Sequence, residues 1–163
     1  MQKLNANSSP ELIQELVRVY RSHKPAIQLY PDASWILEHL RGKAQLGIIT
    51  DGFLKTQQNK VAALGIEGLF DCIVYSDSFG AAEWKPSPTP YKTLMKRLEC
   101  YGAECIYVAD NPLKDFVSAK RLGWRTVQIV REGGIYSSVS VPDEFQASLR
   151  ITSLRTLAEL ISI

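Results

Sequence analysis

Three short stretches of this sequence carry the side chains that phosphoryl chemistry uses. Thr50-Asp51-Gly52 follows an apolar run and precedes a helical pattern. A hydroxyl and free backbone amides at a helix entrance make a cradle for an oxyanion or a phosphate. Lys85 stands in Trp84-Lys85-Pro86-Ser87-Pro88, at the start of another helical pattern. A cation there opposes the helix dipole, and that local cost points to a functional lysine. Asp110 and Asp115, in Asp110-Asn111-Pro112-Leu113-Lys114-Asp115, follow a third apolar run. Hard oxygen ligands at this spacing hold a magnesium ion with its waters and a substrate phosphate. Each stretch has a plainer use as well. Thr50 before a turn serves as a cap, Lys85 as an exposed loop lysine, Asp110 as a helix cap and Asp115 as a dipole contact. Taken together and in this order, a cradle, a lysine and an acidic pair meet the needs of phosphoryl transfer.

The elements that must position these residues follow from hydrophobic period. Helical spacing marks residues 10–22, 32–41, 54–64, 88–98, 112–123 and 153–161. Ser9 and Pro10 open the first, Asp32 is the expected N-cap of the second, and Gly65 and Gly123 stop the third and fifth. In the fifth, Leu113, Phe116, Val117 and Leu122 are expected to face inward. Compact apolar runs at 46–50, 72–76, 105–110 and 125–130 read as buried strands, and 131–142 as a loop. Strand and helix alternating at this spacing predict an α/β fold, a Rossmann-like parallel sheet with helices on both faces. Ligands then sit at the carboxyl ends of the strands, where Thr50, Lys85 and Asp110 fall.

Composition narrows the class further. A chain of 163 residues suits one domain with a real core. Net charge is +2 with both signs interspersed, which argues against a nucleic-acid partner. Cys72, Cys100 and Cys105 form no CxxC pair, and neither His23 nor His39 lies in a paired ligand pattern, which argues against zinc. The odd cysteine count, the polar first residues and the lack of a long apolar stretch point to a reducing, cytoplasmic setting away from membranes.

With the segments LGIITDG, WKPSPTPY and YVADNPLKDFVSAKRLGW, the chain resembles the haloacid dehalogenase-like hydrolase superfamily over about residues 10–160. The resemblance is to the phosphatase group with a small helical cap inserted after the first strand. It implies that Thr50, Asp51 and Gly52 hold the phosphoryl group, that Lys85 neutralises its charge, and that Asp110 ligates Mg2+. Asp115 would orient Lys85 or a metal-bound water, completing an Asp110–Asp115 metal site. Members of that group begin with a strand ending in Asp-x-Asp-x-Thr/Val, whose first Asp attacks phosphorus. Before Thr50 this sequence has only Glu11, Glu15, Asp32 and Glu38, and none follows an apolar strand. Residues 1–31 are therefore expected to be a remnant of the cap with its return segment, and 32–163 the core, with the first strand and most of the cap missing. The strands at 46–50 and 106–110 would then pair directly or stay splayed, with low stability and self-association through open edges.

The resemblance implies a Mg2+-dependent phosphomonoester phosphatase by ancestry, acting on a small phosphorylated metabolite but inactive as this chain. The alternative is a non-catalytic phosphate-binding module or one part of a split enzyme. A phosphorylated receiver domain also uses Asp, Thr and Lys on a parallel sheet, but in a different chain order.

Overall fold

Five short strands and six α-helices run through residues 9–161, the residues described by this computed structural model. In chain order they are α1 (Pro10–Ser22), α2 (Pro31–Leu40), β1 (Gly47–Thr50), α3 (Leu54–Leu64) and β2 (Cys72–Tyr75). There follow α4 (Thr89–Leu98), β3 (Ile106–Ala109), α5 (Phe116–Arg121), β4 (Arg125–Ile129), β5 (Leu149–Ile151) and α6 (Arg155–Leu160). All strand pairing is parallel. The α/β class expected from the alternation is therefore the class observed.

The strands form two sheets rather than one. Among the described residues β1 pairs only with β2, Gly47 opposite Cys72 and Thr50 opposite Tyr75. β3, β4 and β5 make the other sheet, Ile106 opposite Arg125 and Val127 opposite Leu149. β1 and β3 each keep an unpaired edge, and both edges line a cavity of about 640 Å³. Of the two arrangements expected for these strands, the splayed one is found. All four β3 residues stay half-buried, whereas Thr126, Val127 and Gln128 on β4 are buried.

Two apolar clusters fix this spacing. In one, Ile49 and Val74 pack under Tyr91, Leu94 and Leu98 of α4, together with Trp124. In the other, Ile36 and Leu40 of α2 pack with Val127, Ile151 and Leu157. The first cluster also takes in Ala119 of α5, with Tyr107 of β3 packed against it, so apolar burial bridges the two sheets while their facing edges stay unpaired.

Several local expectations change. The helix expected at 112–123 begins only at Phe116, after a turn at 112–114, so Leu113 is exposed rather than inward. Strand β5 carries only three residues, too few to show a period, and the sequence reading missed it. In α1 the apolar face of Leu12, Leu16, Val17 and Tyr20 forms but none of it is buried. Instead α1 ends on α3, where Thr56 Oγ1 donates to Arg21 O and Asn59 Nδ2 to Ser22 O and His23 O.

Tyr30, not Asp32, occupies the N-cap of α2. The Asp32 carboxylate accepts from Arg131 at 2.7 and 2.9 Å and from Leu154 N at 2.8 Å. It thereby joins α2 to the ends of β4 and β5. The Arg131 guanidinium holds the Asp32 carboxyl down to about 2, against an ordinary value of 3.8. A lowered folded value means that the pair stabilises the chain above pH 3.8 and loses that contribution as pH falls toward 2. Asp32→Asn should lower stability by about 1–3 kcal/mol at neutral pH in urea unfolding. The gap from the wild type should shrink below pH 3.8. A gap that is constant with pH would refute this role.

Candidate active site

The site is built where β1, β2 and β3 end. β1 delivers Thr50, whose hydroxyl donates to Gln57 Oε1 on α3 at 2.9 Å. The chain then turns at Gly52 with φ +110°, and a Cβ there would stand 2.8 Å from Gln57 Nε2. Only glycine takes this turn without strain and without displacing the group that fixes Thr50.

Asp51 turns inward. Its carboxylate accepts from Lys114 Nζ at 2.8 Å, from Lys85 N at 3.1 Å and from the buried Ser76 hydroxyl. Burial pushes its carboxyl up, but the Lys114 ammonium, Ser76 and Lys85 outweigh it and hold the group below its ordinary value. Asp51 is thus part of the scaffold, and what the cradle can offer an anion here is backbone rather than this side chain.

Lys85 reaches across from the loop after β2. Its ammonium donates to Asp115 Oδ1 at 2.6 Å and to the Tyr107 hydroxyl at 3.2 Å. The Lys85 side chain is 9% exposed and the Asp115 side chain 3%. Burial alone would discharge the lysine; Asp115, with Asp51 further off, reverses this and raises its value. Asp115 Oδ2 accepts from Asn111 N at 3.1 Å, and its backbone carbonyl from the Tyr91 hydroxyl at 2.7 Å. Below the lysine, the Ser118 hydroxyl donates to Pro86 O. Both Asp115 oxygens are occupied, an arrangement that suits orienting Lys85 better than ligating a metal.

Asp110 differs. It is exposed, its backbone carbonyl accepts from Gln128 Nε2 at 3.1 Å, and it lines the inter-sheet cavity along with Lys85 and Asp115. The cavity therefore carries an ammonium and two carboxylates at the carboxyl ends of the strands. Among the described residues, no group of three or more His, Cys, Asp or Glu side chains is placed to hold a metal ion. Asp110 still suits Mg2+, which is held by one or two carboxylates plus waters and phosphate oxygens.

At the rim, Trp84 Nε1 donates to Asp77, whose other oxygen accepts from Leu54 N at the start of α3. Phe53 meets Trp84 edge-on, and the Arg21 guanidinium from the end of α1 lies 3.4 Å over the Phe53 ring. The sequence-derived candidates Thr50, Asp51, Lys85, Asp110 and Asp115 thus converge on one end of the fold. Gln57, Ser76, Tyr107 and Lys114 hold them there and were missed. Lys114 sits inside the acidic segment and had a signal in its position; the other three had none.

Residues 1–129 match the profile of the family described as haloacid dehalogenase-like hydrolase. The chain is 32% identical over 154 residues to a glyceraldehyde 3-phosphate phosphatase of Methanocaldococcus jannaschii, covering 93% of this chain and 65% of that protein. It is 32% identical to a phosphoglycolate phosphatase of Aquifex aeolicus, over 80% of this chain and 62% of the relative. A crystal structure of a phosphatase of the same family from Thermococcus onnurineus superposes with a TM-score of 0.70 at 28% identity. It covers 92% of this chain and 64% of that one. The chain therefore spans slightly less than two-thirds of these relatives.

Lys85→Met leaves Asp115 buried without its cation, and should lower unfolding free energy by about 3–5 kcal/mol. Asp115→Asn should act in the same direction. The double variant should lose less than the sum by more than about 1 kcal/mol, because the two groups lose one shared interaction. Additive losses in urea titrations would show that the pair is not coupled.

Proposed function

The chain belongs to the haloacid dehalogenase-like hydrolase family, and from that membership we propose that its site is the phosphate-holding, cationic and acidic part of a Mg2+-dependent phosphomonoester phosphatase. In this reading a strand seated between β1 and β3 completes the site and brings the attacking carboxylate. One observation carries the reading: Lys85, Asp110 and Asp115 meet at one end of a cavity bounded by two unpaired strand edges. A strand running parallel to β1 and β3 would end beside them.

The residues take roles from their geometry. Thr50 and the Gly52 amide hold phosphoryl oxygens at the entrance of α3. Lys85, fixed by Asp115 and Tyr107, offsets charge on the phosphoryl group and the attacking carboxylate in a largely dry setting. Asp115 is a positioning residue for that ammonium. Asp110 would hold Mg2+, which when bound neutralises charge on the transferred group. The incoming carboxylate forms an oxygen–phosphorus bond as the substrate's alkoxide leaves, and water then releases phosphate.

The proposed substrate is a small phosphorylated metabolite, the class to which the substrates named for the relatives belong. Residues 1–31 belong, on this reading, to a cap that selects it, and Arg21 on Phe53 is where that cap meets the site. The cytoplasm is the proposed setting. Among the described residues, no helix is long and apolar enough to cross a membrane. A second reading is phosphate binding without turnover, which the Gly52 turn at the entrance of α3 and the Lys85 ammonium would serve by themselves.

Residues 1–163 alone should not hydrolyse p-nitrophenyl phosphate with Mg2+ above background. Adding a peptide with an apolar strand that ends in Asp-x-Asp should bring turnover, and Lys85→Ala should abolish it. Turnover without peptide would sink the proposed division of the site. Phosphate binding, seen by calorimetry, with no turnover on adding the peptide would favour the second reading.

A further inference from the structure

The end of the molecule away from Lys85 carries a second reactive group that the proposed hydrolysis does not use. The chain crosses there from α4, which packs on β1 and β2, to β3 in the other sheet. Cys100 lies just after α4 and Cys105 just before β3. Their sulfurs stand 3.5 Å apart and both cysteines are free.

The short loop holds them in that relation. Glu99 takes the left-handed conformation at φ 53° and ends α4. Tyr101 N donates to Glu104 Oε2 at 2.7 Å and closes the turn. Gly102 packs so tightly on the end of α5 that a Cβ would lie 1.8 Å from Leu122 O. The loop is pinned at its middle, so the thiols are presented to each other by packing rather than by chance encounter. Both are half-buried and both line a cavity of about 380 Å³, whereas Cys72 is buried inside the core.

We propose that Cys100 and Cys105 form a redox-active dithiol, closed to a disulfide by a hydroperoxide and opened again by a thiol. The hydroperoxide passes one oxygen to Cys100, giving a sulfenic acid and releasing an alcohol, or water from hydrogen peroxide. The Cys105 sulfur then bonds to the Cys100 sulfur, and the hydroxyl leaves with the Cys105 proton as water. Burial first, and then the neighbouring Cys100, push the Cys105 thiol up to about 12, which makes Cys105 the poorer thiol to meet the oxidant first. The bond would clamp the end of α4 to the start of β3, and so tie the two halves at the foot of the inter-sheet gap. The inference does not depend on the phosphatase reading.

The test uses the full chain, treated with hydrogen peroxide, alkylated under denaturing conditions and read by mass. Intact mass should fall by about 2 Da before alkylation. The tryptic peptide 98–114, which contains both cysteines, should resist alkylation while Cys72 is labelled. Dithiothreitol should restore two labelled thiols. Cys100→Ser and Cys105→Ser, checked for folding by circular dichroism, should each lose the mass decrease. Two alkylated cysteines in peptide 98–114 after oxidant would overturn the proposal, as would a gain of oxygens in place of the loss. A disulfide through Cys72, or between two chains, would overturn it as well.

Discussion

The ion pair between Lys85 and Asp115 is the contact on which the arrangement of the site depends. It spans the two sheets: Lys85 stands in the loop after β2, and Asp115 follows β3. Taking both charges out of water is expensive, and an unsupported pair would not hold its geometry. Here each partner has further bonds, Tyr107 on the ammonium and Asn111 N on the carboxylate. Asp51 extends the set by accepting from Lys85 N and from Lys114. The result is a closed ring of bonds joining the end of β1, the loop after β2 and the turn after β3. Asp110 is left outside that ring, exposed and available.

The same contact explains how a split sheet keeps an ordered end. Among the described residues no strand lies between β1 and β3, and two rows of backbone donors and acceptors face a cavity. Such edges favour pairing with another strand. The apolar cluster around Tyr91, Ala119 and Trp124 bridges the halves, and the ring of charge joins their carboxyl ends. A gap bounded in this way has a shape that suits an extended segment. The Asp32–Arg131 pair plays a comparable part at the carboxyl ends of β4 and β5, joining α2 to β4 and, through Leu154, to the approach of α6.

Much of this was legible in the residues themselves. Apolar runs of five or six residues marked β1 to β4, and helical period marked α1 to α4 to within a residue or two. Failures came where one local signal competed with another. Asp32 and Leu113 each fit a helical pattern, yet Asp32 serves Arg131 across ninety-nine residues of sequence, and Leu113 lies in a turn. Neither outcome is encoded within a window of ten residues. β5 is too short to show a period, and exists because β4 offers it an edge.

Sequence by itself determined the residue types at the strand ends and their order, because these are written in local patterns: Thr50 and Gly52 at one turn, Lys85 between prolines, Asp110 and Asp115 after an apolar run. Tertiary structure alone decided that β1 and β3 stay apart, that Asp51 faces inward and that Asp115 belongs to Lys85 rather than standing free. Those outcomes rest on burial and on bonds between residues 25 to 63 positions apart, whose energies exist only once the chain has folded.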